Sequence, residues 1–405
     1  MKFFLLNTAF LLLILPLESF LLHKLFRSLR RIHSEKMEPP VFLTELSRVL
    51  PPVLPNHPKT DFMSALSEQE KFDLQWYVIG TPQSISSNKP YQATVWDKKY
   101  AVWRNMTTGE YYAIDDACPH KGASLAKGKI RNQCVVCPYH GYEYDGNGKL
   151  ITVPGINFQQ HNSINSSTLP VYNAAKYHVV ERNGWVYLNT MPNYLMSPNH
   201  TYDTNIFEEP EAGLGYSCVQ LEMDFDCYSR ILSENSLDVM HIGFVHTFGN
   251  RERPAPFQEY PPTQVSPFHF KTSYLYESGR DSMVKKIFDI KQLKIENEFI
   301  LPHTTVARVI FDPYVSTVIT FALPISETKS RLFVKTYRNF WQNSVGDAFT
   351  EKMMRNTMLQ DKIVVENIDM RFMDGKFNMK YDKLQNTYKT FYKRLIRENP
   401  PNKDL

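Results

Sequence analysis

Residues 117–141 of the chain read ACPHKGASLAKGKIRNQCVVCPYHG. This stretch contains two short motifs of one kind, in which a cysteine is followed closely by a histidine, and their four members are Cys118, His120, Cys137 and His140. Sixteen residues separate the first motif from the second. Each motif is short enough to lie on one loop, so both loops can direct a sulfur and an imidazole toward a common centre. The sequence therefore predicts a metal centre with two thiolate and two imidazole ligands.

Two thiolates and two imidazoles are the ligands of a Rieske [2Fe–2S] cluster, in which two histidines replace two cysteines on one of the two irons. A glycine follows each motif, Gly122 in the first case and Gly141 in the second. Glycine lets the backbone approach a bound group closely, and backbone N–H groups there could hydrogen-bond the cluster sulfurs. We therefore predict a Rieske cluster held by both loops.

A structural zinc site is the alternative interpretation of the same stretch. Cys134 and Cys137 form a CxxC pair, and Cys118 and His120 could complete a Cys3His set. That set would leave His140 without a role and would break the arrangement of two matched motifs. The pattern favours the cluster, and we expect Cys134 to be a small buried residue beside the loop.

The composition limits the classes of protein to consider. A chain of 405 residues, of which 42% are hydrophobic, can form two domains with ordinary cores. Its formal net charge of +4 is small, which excludes the strongly basic surface of a nucleic-acid-binding protein. Outside the cluster region the chain has only Cys218 and Cys227. This excludes a disulfide framework and suits a compartment in which thiols can hold iron.

Shifts in composition divide the chain into four segments. Residues 1–36 are hydrophobic and then basic, and residues 37–71 form a proline-rich linker. Residues 72–195 contain short strand-like runs rich in Val, Tyr and Trp and bounded by turn residues, which predicts a small β domain that carries the cluster. Residues 196–405 mix helical and alternating patterns and predict a second, catalytic domain.

Regular elements of the second domain can be placed from their patterns. Alternating hydrophobicity predicts strands over 303–311, 315–323 and 331–339. Residues 227–248 read as helical for much of their length. Residues 347–371 contain neither proline nor glycine and predict one long helix.

The N-terminal segment has the features of a targeting sequence. Residues 3–17 are uncharged and mostly Phe, Leu and Ile, and a basic stretch follows at 23–33. The apolar run is shorter than the ~20 residues of a membrane span and has the length of a signal-peptide core. A retained signal anchor and a cleaved signal followed by a transit segment are the two alternatives.

The order LESF at 17–20, directly before the basic stretch, resembles the two-part presequences of algae with secondary plastids. The resemblance implies a plastid protein, associated with the membrane through its N-terminus. A retained anchor would instead suit the membrane of the endoplasmic reticulum.

Residues 233–246 read SENSLDVMHIGFVH and form a second constellation. His241 and His246 are five residues apart, which would place them about 140° apart on an undistorted helix. Gly243 between them predicts that the helix ends or bends there, which would bring both imidazoles to one point. Two imidazoles and a carboxylate with open positions form the site of non-haem Fe(II) oxygenases. Two ordinary polar side chains near a helix end are the alternative, and the cluster motifs upstream favour an iron site.

From Trp76 to the C-terminal helix the sequence resembles the Rieske non-haem iron oxygenases, on the cluster motifs and the pattern D-x-x-H-x4-H. The resemblance implies an α+β fold, in which the Rieske domain precedes a helix-grip (START-like) catalytic domain with an antiparallel sheet and a long C-terminal helix. It implies a mononuclear non-haem Fe(II) held by His241 and His246, and a head-to-tail homotrimer. Asp238 would bridge a cluster histidine of the neighbouring subunit to an iron-binding histidine of its own chain, and Asn235 would lie near the iron.

The third iron ligand of that family is an aspartate on the long C-terminal helix. The stretch LQDKIVVE at 359–366 resembles the corresponding family stretch, which implies Asp361 as the ligand. Glu366 and Asp369 are the alternatives on the same predicted helix.

Four stretches resemble a narrower group, the pheophorbide a oxygenases and their plastid relatives, which act mostly on chlorophyll-type macrocycles: YSRIL at 228–232, FALPI at 321–325, KSRLF at 329–333 and RNF at 338–340. The chain departs from plant members of that group, because no cysteine follows Cys227 and the hydrophobic segment lies at the N-terminus. The placement of that segment is similar to the N-terminal anchor of animal sterol 7-desaturases.

Together these features predict a Rieske non-haem iron monooxygenase. It would use O2 and electrons from ferredoxin or an NAD(P)H-linked reductase to oxidise an apolar ring substrate, with a chlorophyll-derived macrocycle as the predicted class. A sterol or lipid oxygenase of the endoplasmic reticulum is one alternative, and a retained anchor would favour it. A redox-sensing electron-transfer protein without turnover is another, and it would have no need of Asp238, His241 and His246.

Overall fold

The computed structural model describes residues 66–85, 88–155, 172–196, 206–247, 249–278 and 289–398. The predicted targeting segment and most of the predicted linker lie outside the described residues. Among the helices of the described residues, none is long and apolar enough to cross a membrane.

Most of the regular structure in the described residues is β-strand. The strands are β1 (Trp76–Gly80), β2 (Tyr91–Val95), β3 (Lys98–Arg104), β4 (Tyr111–Asp115), β5 (Lys129–Arg131), β6 (Cys134–Val136), β7 (Glu143–Tyr144), β8 (Leu150–Thr152), β9 (Lys176–Tyr177), β10 (Val179–Arg182), β11 (Trp185–Asn189), β12 (Ser217–Phe225), β13 (Gln258–Glu259), β14 (Thr263–Ser266), β15 (His269–Glu277), β16 (Gln292–Ile300), β17 (Thr304–Phe311), β18 (Tyr314–Pro324) and β19 (Ser330–Arg338). The α-helices are α1 (Glu68–Asp73), α2 (Pro210–Gly213), α3 (Ser229–Leu237), α4 (Ile242–Val245), α5 (Ser344–Val365) and α6 (Lys383–Glu398). Single 3-10 turns occupy Leu125–Lys127, Asn193–Leu195 and Met370–Phe372.

Three small antiparallel sheets form the first part of the described chain. Their strand orders are β1-β11-β10, β2-β3-β4-β9 and β5-β6-β7-β8. The third sheet consists of strands of two or three residues, and its β6–β7 connection carries the second cluster motif. The first motif follows β4, so the two motifs extend from different sheets of one small β domain.

An eight-stranded antiparallel sheet forms the second part. Its order is β12-β19-β18-β17-β16-β15-β13, and β14 also pairs with β15. Successive strands from β15 to β19 are neighbours in the sheet, so the topology is that of a meander. Along β12, the side chains of Val219 and Phe225 are buried among exposed neighbours, which follows from the alternation of side chains across a sheet.

Helix α5 packs on this sheet through one face. The Asn343 side chain caps its N-terminus by accepting the Gly346 N–H at 2.9 Å. Met354, Met358 and Val365 recur at helical spacing and are buried against the sheet. The sheet and α5 together give the α+β arrangement predicted from the sequence.

The two parts share one hydrophobic core. Trp76 and Val78 of β1 pack in the same buried cluster as Ile319, Phe321 and Phe333 of the large sheet. Because burial of apolar surface drives folding, a core that crosses the boundary fixes one part against the other.

A buried ion pair lies at the same boundary. The Lys335 ammonium donates to both carboxylate oxygens of Glu209, at 2.7 and 3.0 Å, and to the carbonyl oxygen of Asn183 at 2.6 Å. It also lies 3.9 Å from the centre of the Trp185 ring. The Tyr337 hydroxyl donates to Glu209 at 2.5 Å. Lys335 belongs to the large sheet, whereas Asn183 and Trp185 belong to the small β domain, so this cluster connects the two.

The strands predicted at 303–311, 315–323 and 331–339 correspond to β17, β18 and β19 with ends shifted by one residue. The single helix predicted over 347–371 is wrong in extent. Helix α5 ends at Val365, and the side chain of the next residue, Glu366, accepts the Asp226 N–H at 2.7 Å. A separate helix, α6, follows, and its buried residues recur at helical spacing: Leu384, Tyr388, Tyr392 and Leu395.

Candidate metal centres

The two cluster loops are built alike. The Cys118 N–H donates to the Ala123 carbonyl oxygen at 2.9 Å, and the Cys137 N–H donates to the Tyr142 carbonyl oxygen at 2.8 Å. Each bond closes a loop that begins at the cysteine and returns five residues later. The two cysteines therefore occupy equivalent positions, and the histidines follow them by two and three residues.

The glycine of each loop makes this turn possible. The N–H of Gly122 donates to the Cys118 carbonyl oxygen at 2.8 Å, and the N–H of Gly141 donates to the Cys137 carbonyl oxygen at 3.0 Å. Both glycines have φ +72°, a left-handed conformation that side chains with a Cβ disfavour. The sequence analysis explains both glycines by the close approach of the backbone to the cluster. The structure adds a second reason, which is their left-handed backbone conformation.

The four predicted ligands divide into a buried and an exposed pair. Cys118 and Cys137 are each 2% exposed, and burial raises the pKa of the Cys118 thiol. The Tyr144 hydroxyl lies 3.4 Å from the Cys118 Sγ. His120 and His140 are exposed, and their Nδ1 atoms lie 3.2 Å apart. Two nitrogens at this distance can both bind one metal through bonds of ~2.1 Å, so Nδ1 is the ligating atom that the structure offers.

The zinc alternative does not fit this geometry. A Cys3His site needs its four ligand atoms around a single ion. Among the described residues, no group of three or more ligand atoms within 4.8 Å of one another includes Cys134. Cys134 instead lies in β6, where it pairs with Arg131 of β5. The donor set of two cysteines and two histidines therefore suits a two-iron cluster better than one zinc ion.

The second constellation brings three potential ligands together. The Nε2 atoms of His241 and His246 are 3.2 Å apart. The Oδ1 atom of Asp361 is 3.5 Å from the His241 Nε2 and 3.4 Å from the His246 Nε2. A point equidistant from these three atoms in their plane lies about 1.9 Å from each. Bonds from a divalent metal to nitrogen and oxygen measure ~2.0–2.2 Å, so a metal fits just outside this plane.

The local fold explains how the two histidines meet. Helix α3 ends before Asp238, whose extended backbone turns the chain. The Asp238 Oδ1 then accepts the N–H groups of Met240 and His241, at 2.7 and 3.3 Å, and so caps the turn that leads into α4. At Gly243 a Cβ would lie 2.7 Å from the Pro254 side chain. The chain turns at Asp238 and not at the predicted glycine: Gly243 lies inside α4, where its lack of a side chain admits the close approach of Pro254.

Each histidine of this site has its second nitrogen bound. The His241 Nδ1 lies 2.8 Å from the main-chain carbonyl oxygen of Asp238, and the His246 Nδ1 lies 3.2 Å from the Oε1 atom of Gln360. Because these oxygens only accept, each Nδ1 carries the proton and each Nε2 presents a lone pair to the site. Two lone pairs and the carboxylate of Asp361 then face one point.

The two histidines of the site have pKa values shifted in opposite directions. Burial acts to lower the pKa of His241, but the adjacent Asp361 carboxylate and the nearby Asp238 charge raise it, so that its pKa lies above the ordinary value. Burial also lowers the pKa of His246, which lies below the ordinary value although Asp361 opposes the shift. The buried Oδ1 of Asp361 accepts no hydrogen bond from any described residue. A divalent cation would satisfy all three groups at once.

The structure separates Asp361 from the two alternatives. Glu366 binds the Asp226 N–H and lies 3.1 Å from the Lys362 ammonium. Asp369 caps the 3-10 turn that follows and pairs with Arg371. Only Asp361 of these three carboxylates joins the histidine pair. Its role as a metal ligand remains a prediction.

The other two residues predicted at this site are Asp238 and Asn235. Asp238 contacts the Nδ1 of His241 through its main-chain carbonyl and not through its carboxylate. Asn235 is half-buried in α3, and its carbonyl oxygen accepts the Asp238 N–H at 3.2 Å. Gln360 directly precedes Asp361 but was not predicted, because a lone glutamine carries no pattern.

Residues 75–168 match the family model described as the Rieske [2Fe–2S] domain. Pheophorbide a oxygenase, chloroplastic, of Oryza sativa subsp. japonica is 26% identical over 331 residues, which cover 75% of this chain and 57% of that protein. The dicamba O-demethylase oxygenase component of Stenotrophomonas maltophilia is 31% identical over 42% of this chain and 46% of that protein. The chain thus spans about half the length of the curated relatives it matches.

Among solved structures, dicamba monooxygenase with non-heme iron and dicamba has a TM-score of 0.62 and 20% identity, covering 80% of this chain and 98% of that one. Such a match at low identity concerns the fold. It confirms the predicted order of a Rieske domain and a domain with an antiparallel sheet and C-terminal helix. Residues 75–168 therefore correspond to a Rieske [2Fe–2S] domain, the chain has the fold of the Rieske non-haem iron oxygenases, and pheophorbide a oxygenase is among its relatives.

Proposed function

We propose that the protein is a Rieske-type monooxygenase that oxidises an apolar ring substrate with O2 and electrons from ferredoxin or an NAD(P)H-linked reductase. The observation that carries this proposal is the meeting of His241, His246 and Asp361 around one point in a chain that also has a Rieske domain. An electron-transfer protein would need the cluster ligands alone. Two imidazoles and one carboxylate on one side of a metal leave other positions for O2 and substrate.

The two proposed cofactors would lie in different surroundings. Cys118, His120, Cys137 and His140 would bind the cluster, and His241, His246 and Asp361 would bind the mononuclear Fe(II). When bound, these cofactors supply the redox chemistry, in which one atom of O2 enters the substrate and the other leaves as water. The protein orients the ligands, directs both Nε2 atoms of the iron site toward Asp361, and buries the cysteines while leaving the cluster histidines accessible.

Asp238 connects the iron site to a second subunit in this proposal. Its Oδ1 is occupied by two backbone N–H groups, whereas Oδ2 accepts no hydrogen bond from the described residues. We infer that Oδ2 accepts the Nε2–H of a cluster histidine from a neighbouring chain. His120 and His140 suit that contact because their Nδ1 atoms converge and both residues are exposed.

Exposed apolar side chains support a homotrimer. Phe244, between the two iron-site histidines, is 59% exposed, and Ile363, two residues after Asp361, is 72% exposed. On the Rieske domain, Tyr139 beside His140 is 65% exposed. Large apolar groups at both prospective contact surfaces are the usual mark of an interface between chains. Light scattering of the purified protein should give three chains per particle, and a monomer at micromolar concentration would contradict this proposal.

The substrate class is proposed from the relatives. The relatives include a pheophorbide a oxygenase, which supports a chlorophyll-derived macrocycle. The chloroplastic location in the names of these relatives also supports a plastid location here.

The first test is the metal content of protein purified without air. We expect about three irons and two acid-labile sulfides per chain, from one Rieske cluster and one mononuclear site. About two irons and two sulfides would contradict the oxygenase proposal and favour electron transfer alone. Zinc without sulfide would contradict the cluster.

The second test concerns the reaction. The reduced protein is mixed with pheophorbide a, ferredoxin, its reductase, NADPH and 18O2, and the product is analysed by mass spectrometry. We expect a product that carries one 18O atom. Oxygenation of a sterol in the same assay, with pheophorbide a unchanged, would replace the proposed substrate class.

A further inference from the structure

Gln360 touches the candidate iron site from behind His246. It lies on α5 directly before Asp361, and its Oε1 atom is 3.2 Å from the His246 Nδ1. His246 is 4% exposed, so the amide takes the place of water at this ring edge. The opposite ring nitrogen, Nε2, lies 3.4 Å from the Asp361 Oδ1. One helix therefore supplies groups to both edges of the same imidazole.

The two histidines of the site are fixed by partners of different kinds. The His241 Nδ1 is bound by a main-chain carbonyl at 2.8 Å, which no substitution of Asp238 removes. The contact of the His246 Nδ1 with Gln360 is made by a side chain. A neutral imidazole carries one proton, and an acceptor at Nδ1 selects the tautomer with a free lone pair on Nε2. The tautomer of His246 thus depends on the identity of residue 360.

Consecutive residues on a helix point about 100° apart. Asp361 faces the centre of the site, and Gln360 reaches around to the outer edge of the His246 ring. Because α5 is anchored in the core through Met354, Met358 and Val365, these two side chains are held at a fixed separation. The helix therefore sets the position of one ligand and the orientation of another together.

We propose that Gln360 is a positioning residue that presents the His246 Nε2 to the mononuclear metal and so strengthens metal binding. This inference rests on the proposed function, since it takes His241, His246 and Asp361 as the metal site. Partners that bind the second nitrogen of a ligating histidine contribute ~10–100-fold to metal affinity or activity in known sites.

The test uses the full-length chain with its cluster loaded and compares three variants with the wild type. Gln360→Leu removes the acceptor with little change in size, and Gln360→Glu keeps an acceptor. Asn356→Leu is the control, because Asn356 lies one turn earlier on α5 and is exposed. Binding of Co(II) is measured by equilibrium dialysis with metal counted by mass spectrometry, since cobalt is distinct from cluster iron. The tautomer of His246 is followed by 15N NMR in chains labelled at histidine.

We expect Gln360→Leu to bind Co(II) about 10-fold or more weakly and to lose the Nδ1–H tautomer of His246. Gln360→Glu should retain both properties, and Asn356→Leu should match the wild type. Unchanged affinity in Gln360→Leu would overturn the proposal, and so would an equal loss in Gln360→Glu with unaltered melting and cluster absorbance. If the wild type itself takes up no Co(II), the metal site of the proposed function fails first, and the role of Gln360 falls with it.

Discussion

Replacing Lys335 with methionine should weaken the junction between the small β domain and the large sheet. The side chains of Lys335 and Glu209 are 0% and 1% exposed. Methionine has a similar length and no charge, so the change removes the ammonium with little change in packing. The Glu209 carboxylate would then be buried with the Tyr337 hydroxyl as its one remaining donor among the described residues.

The magnitude follows from the burial of the pair. Removing one partner of a buried ion pair costs ~3–5 kcal/mol, because the other charge remains in a medium of low dielectric constant. The lost contact with the Trp185 ring, 3.9 Å away, is partly replaced by a sulfur–aromatic contact. We therefore expect a loss of ~3–5 kcal/mol, which lowers the melting temperature by about 4–6 °C in a chain of this size.

A second variant separates the lost pair from the lost packing. Burial lowers the pKa of Lys335, and Glu209 offsets this only in part, so burying the ammonium costs more than the pair returns. Lys335→Met combined with Glu209→Gln should therefore recover most of the loss, because the amide still accepts the Tyr337 hydroxyl.

The assay is thermal melting followed by circular dichroism and cluster absorbance together. The control is Arg355→Met, which removes a half-exposed pair with Glu351 and should change stability by less than ~1 kcal/mol. The reasoning is refuted if Lys335→Met melts with the wild type, or if the double variant is less stable than the single one.

Three further predictions concern the iron site and its helix. Asp361→Ala should lose one iron per chain and keep the cluster sulfide, whereas Glu366→Ala should keep all its iron. Iron and sulfide are counted in both variants. An equal loss of iron in the two would contradict the choice of Asp361 as the ligand. Asp238→Ala should retain both metals and nearly stop turnover, since the carbonyl that binds His241 remains; normal turnover would contradict the bridge. Burial raises the pKa of Glu234 to about 7 from 4.5. The folded state therefore binds a proton at Glu234 more tightly than the unfolded state does. This contribution is fully present below the unfolded-state pKa near 4.5 and is lost as the pH rises through 7. Relative to Glu234→Gln, the wild type should therefore lose about 3 kcal/mol of stability between pH 4.5 and 7, and parallel denaturant profiles of the two proteins would contradict this.

The cluster motifs could be identified from the sequence because their chemistry is local. Cys118 and His120 are two residues apart, and Cys137 and His140 are three apart, so each pair is close enough to lie on one tight loop. The role of the two glycines could also be predicted from the sequence, whereas their left-handed backbone conformation could not. The thiols are buried and the imidazoles exposed because of the sheets beneath the loops. The spacing of the residues in the sequence could not predict this difference.

Only part of the iron site could be predicted from the sequence. His241 and His246 could be paired from the sequence, although the chain turns at Asp238 and not at the predicted glycine. Asp361 comes from a helix more than a hundred residues later and needed a family resemblance. The contact of His241 with the carbonyl of Asp238 could not be predicted, because main-chain contacts leave no residue signature. Helix α6 was missed although its apolar residues recur at helical spacing, since tyrosines supply half of its buried face.

The core shared by the small β domain and the large sheet bears on how electrons could move. Trp76 and Val78 are packed with Ile319, Phe321 and Phe333, so the domain that would carry the cluster is not a tethered shuttle that swings between a donor and an acceptor. The span between the two metal centres of one chain is set by the fold. In the proposed trimer the path from the cluster to the iron would run between two chains, so dilution into monomers should stop turnover while each cluster can still be reduced.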